Sequence, residues 1–520
     1  MKKNRDMVKR SPVVELAHAH ITKYVTAGLL PAVMVAGGVL DANAQKPGGW
    51  KAPFIKARGD APNILWICTD QQRWDTIGAL GNKYVKTPNI DRLVREGVSF
   101  TNAHCQSPVS APSRASFLTG MYPSAVRVTR NGNAVWPEAA PLVTKLLKDA
   151  GYECGLAGKF HLSTAMARRP EIRPADDGYT TYHYSHSPYQ GGSKNDYLKY
   201  WLDRGIDINA LKKQNGYVPA KYHQTTWCVD RAIDFIKERR EWPWQFSLNV
   251  YDPHNPLDPP QEYIDRYNID ELPAPRFKES DLKEKSAFNN VVFQSRPKKY
   301  PGAENRRRTA RYLAQIDMID ENIGRLMKAL EESGQLENTL IIFMSDHGDM
   351  LGDHGLINKG CRFYNGLVRV PLVFWHPKKL MQNLRSDALV ELIDVVPTLL
   401  ELAGLPVSGK IQGKSLLPIL TGEASADFHK EHVRCEYYDK SSNEGGKIAG
   451  GTMFRTKKYK LALYHGHAKG ELFDMENDPD EFTNLWDDPA HQQVLMKLIR
   501  QSYDASIEAF DKGPEKIARY

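Results

Sequence analysis

Apolar runs that each end in a cluster of charged residues recur along this chain, and they constrain its fold more than any other feature. The first run, Asn63–Thr69, is nearly continuous in apolar residues, which is typical of a parallel strand buried on both faces. Similar runs occupy 152–157, 246–251, Thr339–Ser345 and 370–375. Helical patterns lie between them, at 142–150, 224–240 and 307–333.

The alternation predicts an α/β fold with a large mixed, mostly parallel sheet sandwiched by helices. In such folds functional groups gather beyond the carboxyl ends of the strands. Strand-like segments at 432–438, 451–456 and 458–464, with a helical pattern at 492–510, predict a smaller C-terminal α+β subdomain with an antiparallel sheet. We therefore divide the chain into a main domain, 45–425, and a subdomain, 426–520. The polar stretches 165–222 and 255–305 are expected to be irregular insertions over the active face.

Residues 1–44 have the pattern of an export signal. A basic start leads into an apolar stretch at 27–40, and small residues at Ala42 and Ala44 fit a cleavage site. The apolar stretch is short for a bilayer span and contains Pro and Gly. We expect a mature protein that begins near Gln45, is periplasmic or otherwise exported, and has no stable membrane insertion after cleavage.

Charge and cysteine content exclude some classes of function. The formal net charge is +8 over 520 residues, without a dense basic run or a recognisable nucleic-acid module, so we expect no nucleic-acid partner. The mild positive excess fits an anionic substrate without requiring one. Six widely spaced cysteines are too few for a disulfide scaffold.

Two polar clusters offer ligands for a hard cation. Asp70 directly follows the first run, while Asp346 and His347 follow the run that ends at Ser345. Carboxylate oxygens are hard ligands, and side chains at neighbouring strand ends can reach one ion. Taken singly, Asp70 also fits a helix cap or a turn, and the segment around His347 also fits a polar loop.

Other clusters offer positive charge and acid–base groups. Lys159 and His161 follow the run at 152–157, where the alternation of an extended segment places them on the same side. His254 lies among prolines that fix its backbone, which suits a positioned general acid, and Lys359 is a further candidate anion contact. Each of these residues has a plain alternative as a surface or loop side chain.

The segment Ser110-Ala111-Pro112-Ser113-Arg114 places a hydroxyl, a proline and an arginine at the start of a helical pattern. If the helix begins after Pro112, Ser110 lies at its positive end, where backbone N–H groups favour an anion. Arg114 can offer a bidentate fork to the same anion. Together these groups suit the transfer of a sulfuryl or phosphoryl group, although the segment alone also fits an ordinary helix start.

Taken together and in this order, the clusters resemble those of the type I formylglycine sulfatases of the alkaline phosphatase superfamily. The matching segments are 63–71, 110–120, 155–162, 253–256, 345–348, Lys359 with 369–371, and 471–474 with 478–479. The resemblance implies that 45–425 is a catalytic sulfatase domain and that the protein is a sulfuric ester hydrolase. It further implies a sulfated carbohydrate as substrate, such as a glycosaminoglycan or other glycan oligosaccharide.

The resemblance also implies a set of site residues. A maturation enzyme would oxidise Ser110 to formylglycine (3-oxoalanine), whose hydrate supplies the nucleophile. One divalent cation, expected to be Ca²⁺, would be held by Asp70, Gln71, Ser110, Asp346 and His347. The implied catalytic residues are Ser110, Arg114, His161 and His254, with His254 protonating the leaving alcohol. Lys159 and Lys359 would bind the substrate.

The chain departs from the common pattern of that family at three positions. Ser110 stands where many members have Cys, which implies an anaerobic, radical-type maturation system and hence a bacterial source. Gln71 stands where many members have a second Asp. His347 stands where many have Asn, and an imidazole ligand admits softer metals.

Two alternatives remain open at the level of the sequence. A metal-dependent phosphatase or phosphodiesterase of the same superfamily would use unmodified Ser110, but it usually needs two transition metals, whereas these clusters supply ligands for one. A glycan-binding relative without activity would not need Ser110 and His254 together.

The first insertion, 165–222, also contains candidate sugar contacts. They are Tyr182, His183, Tyr184 and His186.

Overall fold

The strand formed by the first apolar run lies inside a large sheet. In the computed structural model, which describes residues 56–165, 171–288, 296–439, 449–511 and 513, this strand is Asn63–Thr69, and all seven of its residues are buried. The predicted signal peptide, 1–44, lies outside the described residues. None of the helices in the described ranges is long and apolar enough to cross a bilayer.

Within the described residues, eight strands form this sheet in the spatial order β4-β3-β5-β1-β6-β7-β2-β8. Their bounds are β1 Asn63–Thr69, β2 Val98–His104, β3 Glu153–Gly158, β4 Thr181–Tyr184, β5 Trp244–Asn249, β6 Thr339–Ser345, β7 Leu372–Trp375 and β8 Leu384–Glu391. Only β7 runs antiparallel to its neighbours among these strands, so the sheet is mixed and mostly parallel.

Helices cover both faces of this sheet. Their bounds in the described chain are α1 Pro88–Glu96, α2 Ser110–Thr119, α3 Val143–Asp149, α4 Asp196–Leu202, α5 Ile208–Asn215, α6 Gln224–Lys237, α7 Gln261–Ile264, α8 Asp281–Glu284, α9 Gly302–Glu332, α10 Asn365–Val368, α11 Val395–Leu402, α12 Leu417–Leu420 and α13 Gln492–Ala509. Because successive side chains of a strand point to opposite faces, β1 contributes to two separate cores. Trp66 and Cys68 pack with α2, α3 and α11, whereas Leu65 and Ile67 pack with α1, α6 and α9.

A second sheet follows α12 and is antiparallel throughout. Its strands are β9 Val433–Asp439, β10 Ala449–Arg455, β11 Tyr459–Tyr464 and β12 Glu471–Asp474, in the order β12-β11-β10-β9. Leu495 and Leu498 of α13 pack on it against Phe454 and Leu461. The predicted fold class is thereby confirmed. The six cysteines are buried free thiols.

The structure corrects the sequence interpretation of both insertions, since 255–305 contains the short helices α7 and α8 and the start of α9. The stretch 165–222 is not wholly irregular, because its described part contributes the edge strand β4 and the helices α4 and α5. The residues of β4 are polar or aromatic and half-buried, so no apolar run marks the strand in the sequence. Strands β2, β8 and β12 also lie outside the strands predicted from apolar runs.

We expect the contact between α2 and β1 to contribute strongly to stability. The ring centroids of Phe117 and Trp66 are 5.5 Å apart and both side chains are buried. Phe117→Ala should lower the free energy of unfolding by about 3–5 kcal/mol, measured by urea unfolding. The matched control, Phe428→Ala, removes a ring that is 54% exposed and should change it by less than about 0.5 kcal/mol. Equal effects of the two substitutions would contradict this assignment.

Candidate active site

Four neighbouring parallel strands bring the predicted site residues together. β3, β5, β1 and β6 are adjacent, and their carboxyl ends carry Lys159, His254, Asp70 and Asp346 in the loops that follow. Thr69 and Ser345 are paired in register, so the two aspartates leave the sheet side by side. Both carboxylates have no exposed surface.

Gly158 lets the chain turn toward the site at the end of β3. Its φ of +107° is left-handed, and a Cβ at this position would lie 1.9 Å from the carbonyl oxygen of Asn249. A side chain therefore cannot be accommodated here. The next residue, Lys159, donates its backbone N–H to the same Asn249 oxygen at 2.9 Å.

The guanidinium of Arg114 lies between the two carboxylates. Its Nε donates to Asp346 Oδ2 at 2.9 Å, one terminal nitrogen lies 3.5 Å from Asp70 Oδ2, and the other donates to the carbonyl of Lys159 at 3.1 Å. In this structure the guanidinium of Arg114, which was predicted to bind an anion, contacts protein oxygens. Direct contact of Arg114 with a substrate anion stays a prediction.

Ser110 is the first residue of α2, which begins two residues before Pro112. It therefore lies at the positive end of the helix, as expected. Its Oγ lies 3.0 Å from His347 Nε2 and accepts a hydrogen bond from Lys359 Nζ at 3.1 Å. The residue has no exposed surface.

His347 is held with its lone pair toward Ser110. Its Nδ1 lies 2.9 Å from the carbonyl oxygen of Gly348, which can only accept, so Nδ1 carries the proton and Nε2 is unprotonated in the neutral ring. Burial lowers the pKa of His347 to about 4, which keeps the imidazole neutral near pH 7. A neutral Nε2 is the form that binds a metal ion.

Three groups converge as candidate cation ligands. One ligand atom each from Asp70, Asp346 and His347 lie within 4.8 Å of one another. In the part of the chain that the structure describes, the buried Oδ1 of Asp70 and Oε1 of Gln71 have no hydrogen-bond partner. Oxygens without a protein partner are available to bind a cation, so both atoms fit a cation site.

Two lysines supply positive charge beside Asp70. Lys159 forms an ion pair with Asp70 Oδ2, and Lys359 Nζ lies 3.9 Å from its Oδ1. Burial alone would raise the pKa of Asp70, but the charges of Lys159, His254, Lys359 and Arg114 outweigh burial and hold this pKa well below its usual value. Burial lowers the pKa of Lys359 to about 8.

His254 and His161 flank this cluster. His254 Nδ1 lies 2.7 Å from the carbonyl of Asn255, which leaves Nε2 as its free nitrogen. Burial first, and then the charge of Lys359, lower the pKa of His254 well below its ordinary value. Burial and the neighbouring His186 and Lys159 do the same for the pKa of His161.

Only one of the four candidate sugar contacts approaches these groups. His186 lies after β4, and its ring centroid is 4.4 Å from that of His161. Tyr182 instead packs against Phe160 and Tyr184, and His183 packs against Trp227. Tyr182, His183 and Tyr184 are half-buried in the edge strand β4, and a role for them as sugar contacts stays a prediction.

Sequence reasoning missed Glu171, which fixes the backbone that carries His161. Its carboxylate accepts the backbone N–H groups of His161 at 2.8 Å, Leu162 at 2.5 Å and Ser163 at 3.3 Å. These contacts hold His161 at a φ of +59°. Glu171 lies ten residues further along, next to a stretch outside the described residues, and no local pattern marks it.

Comparison with known proteins identifies the family. Residues 62–405 match the family model described as "Sulfatase", and residues 352–507 match the one described as "N-sulphoglucosamine sulphohydrolase, C-terminal". The chain belongs to the sulfatase family. The resemblance to this family of the alkaline phosphatase superfamily is confirmed, and the protein is a sulfuric ester hydrolase.

This sulfatase is similar to several characterised proteins over most of its length. An arylsulfatase of Clostridium perfringens is 31% identical over 491 residues, covering 88% of this chain and 98% of the relative. An N-acetylglucosamine-6-O-sulfatase of Bacteroides thetaiotaomicron is 27% identical, covering 85% and 86%. A phosphonate monoester hydrolase of Agrobacterium radiobacter shares the fold, with a TM-score of 0.73, 24% identity and coverage of 86% and 96%.

We expect Glu171 to affect catalysis through His161. Glu171→Ala frees three backbone N–H groups and lets His161 shift, and displacements near 1 Å cost up to about a hundredfold in rate, so kcat/KM toward a chromogenic sulfate ester should fall about tenfold or more. Glu279→Ala, which removes an exposed partner of Lys299, is the control and should leave kcat/KM unchanged. Wild-type kinetics for Glu171→Ala would show that these contacts do not position His161.

Proposed function

We propose that this sulfatase hydrolyses a sulfate ester on a carbohydrate, using a formylglycine made from Ser110. The observation that carries the proposal is the placement of Ser110 at the positive end of α2, against His347 and Lys359. This is where a nucleophile and the negative charge of a sulfate can be accommodated together. As its hydrate, formylglycine supplies one hydroxyl that attacks sulfur and displaces the substrate alcohol, and a second whose deprotonation expels sulfate and regenerates the aldehyde.

A divalent cation fits the ligand atoms beside Ser110. Asp70, Gln71, Asp346, His347 and the modified Ser110 would hold it, and the unpartnered oxygens of Asp70 and Gln71 support an oxygen-rich site of the kind Ca²⁺ prefers. When bound, the cation supplies positive charge that favours the ionised nucleophile and neutralises sulfate oxygens.

The remaining charged residues bind and orient the substrate in this proposal. Lys159 and Lys359 attract the sulfate, and His161 donates to its oxygens. Arg114 keeps the two carboxylates in place through its contacts with both. Each donor is already fixed by the protein, so little reorganisation is needed when the substrate binds.

His254 would give a proton to the leaving alcohol from Nε2. The neutral ring has its proton on Nδ1, so catalysis requires a second proton on Nε2. Burial and the charge of Lys359 disfavour that proton in the free site, and the negative charge of a bound sulfate ester offsets Lys359 and favours it. Substrate binding would therefore raise the pKa of His254 and prepare it as a general acid.

The substrate class and the cellular location are also proposals. Similarity to an N-acetylglucosamine-6-O-sulfatase supports a sulfated glycan, as does the His186 ring beside His161. The pattern of 1–44 supports a signal peptide, an exported or periplasmic protein, and maturation by an enzyme that acts on Ser110. We also propose that 45–425 forms the catalytic domain and 426–520 a C-terminal subdomain.

Mass spectrometry tests the nucleophile directly. Protein made in a host with the maturation enzyme should yield a Ser110 peptide lighter by one H₂, because oxidation removes two hydrogen atoms. Ser110→Ala should abolish sulfatase turnover while the thermal unfolding midpoint stays close to that of the wild type. Unmodified Ser110 together with zinc-dependent phosphatase activity would instead favour the superfamily phosphatase.

Metal removal tests the cation. A calcium chelator should abolish turnover and lower the thermal midpoint, because a ligand present at a hundred times its Kd stabilises the folded state by about 2.7 kcal/mol. Added Ca²⁺ should restore both quantities. An unchanged midpoint and full activity in excess chelator would eliminate the cation from the proposal.

A further inference from the structure

Asp349 lies behind the candidate cation ligands. It is only 3% exposed, in the loop that follows β6, and both of its carboxylate oxygens are engaged. Oδ2 accepts a hydrogen bond from the side-chain amide nitrogen of Gln71. Oδ1 accepts the backbone N–H groups of Leu351 at 2.6 Å and of Asn358 at 3.1 Å.

The contact with Asp349 decides which end of the Gln71 amide faces the site. An ionised carboxylate can only accept hydrogen bonds, so the NH₂ group of Gln71 must point toward it and the carbonyl oxygen must point away. That oxygen, Oε1, is buried and has no hydrogen-bond partner among the described residues. The backbone N–H of Gln71 donates to Asp346 Oδ1 at 3.0 Å, which fixes the residue at the ligand cluster.

The same carboxylate also sets the loop that carries Lys359. Asn358 precedes Lys359, and its backbone N–H is one of the two bound by Asp349. The side-chain oxygen of Asn358 accepts a hydrogen bond from the side-chain NH₂ group of Asn255, and the backbone carbonyl of Asn255 lies 2.7 Å from His254 Nδ1. Hydrogen bonds therefore connect Asp349 to the loops that carry Gln71, Lys359 and His254.

We propose that Asp349 is a positioning residue that makes Gln71 present its oxygen, and not its NH₂ group, to the divalent cation. Groups that hydrogen-bond to a ligand commonly set its orientation and so tune metal affinity. Gln71 needs such a partner because an amide, unlike a carboxylate, has one end that repels a cation. The inference rests on the proposed function, since it assumes the cation site.

Exchanging donor and acceptor between the two residues tests the proposal. In Asp349→Asn the new NH₂ group faces Gln71 and turns its amide over, so the Kd for Ca²⁺ should rise about tenfold to a hundredfold. Gln71→Glu sets two carboxylates against each other and should also weaken Ca²⁺ binding. The double variant Gln71→Glu/Asp349→Asn restores one donor and one acceptor and should recover most of the affinity. Isothermal titration calorimetry of the chelator-stripped full-length protein measures each Kd.

Asp353→Asn is the matched control. Asp353 lies in the same loop and is mostly buried, but its carboxylate pairs with Arg73 and Arg276, so its loss should leave the Kd for Ca²⁺ unchanged. Wild-type affinity in Asp349→Asn, or a double variant no tighter than either single one, would overturn the inference.

Failure of a variant to fold or of the wild type to bind Ca²⁺ also has a defined meaning. If Asp349→Asn does not fold, Gln71→Glu decides alone, because a carboxylate is ordinarily the stronger Ca²⁺ ligand, and equal or tighter binding would overturn the proposal. A wild-type protein that binds no Ca²⁺ overturns the proposed cation site together with this inference. Wild-type binding that the variants leave unchanged overturns the inference only.

Discussion

Asp70 and Asp346 place two carboxylates side by side with no exposed surface, and positively charged side chains surround them. Buried like charges repel strongly unless cations compensate them. Arg114 donates toward both, Lys159 pairs with Asp70, and Lys359 lies nearby. The compensating cations come from different loops, so the geometry depends on the sheet holding those loops together.

The helix that carries Ser110 depends on the same arrangement. Arg114 lies one turn into α2, so its contacts with the carboxylates also anchor the start of the helix. On the other side, Phe117 packs on Trp66 of β1. The position of the Ser110 hydroxyl is thus set by electrostatic contacts with the loops after β1 and β6 and by an apolar contact with β1.

Much of the fold could be predicted from the sequence because the buried strands carry a strong signal. β1 and β6 have the predicted bounds, since both faces of each strand are covered and the apolar run is continuous. β4 was not predicted because its four residues are only half-buried at the edge of the sheet, and such a strand needs no continuous apolar run. The order of the strands, which makes Asp70 and Asp346 neighbours, is a tertiary result that no local pattern encodes. The same holds for the contacts of Asp349 and Glu171, whose partners are set by how the loops meet.

The complete burial of Ser110 has a consequence for the timing of its chemistry. Ser110 is the first residue of α2, and no residue of this helix is exposed. If Ser110 is converted as proposed, the converting enzyme must reach a side chain that the folded protein buries, so it must act before α2 docks on the sheet. Conversion and folding would then compete for the same newly made chain. The fraction of active molecules would then depend on how fast this domain closes, and a variant that folds faster could be more stable and yet less often matured.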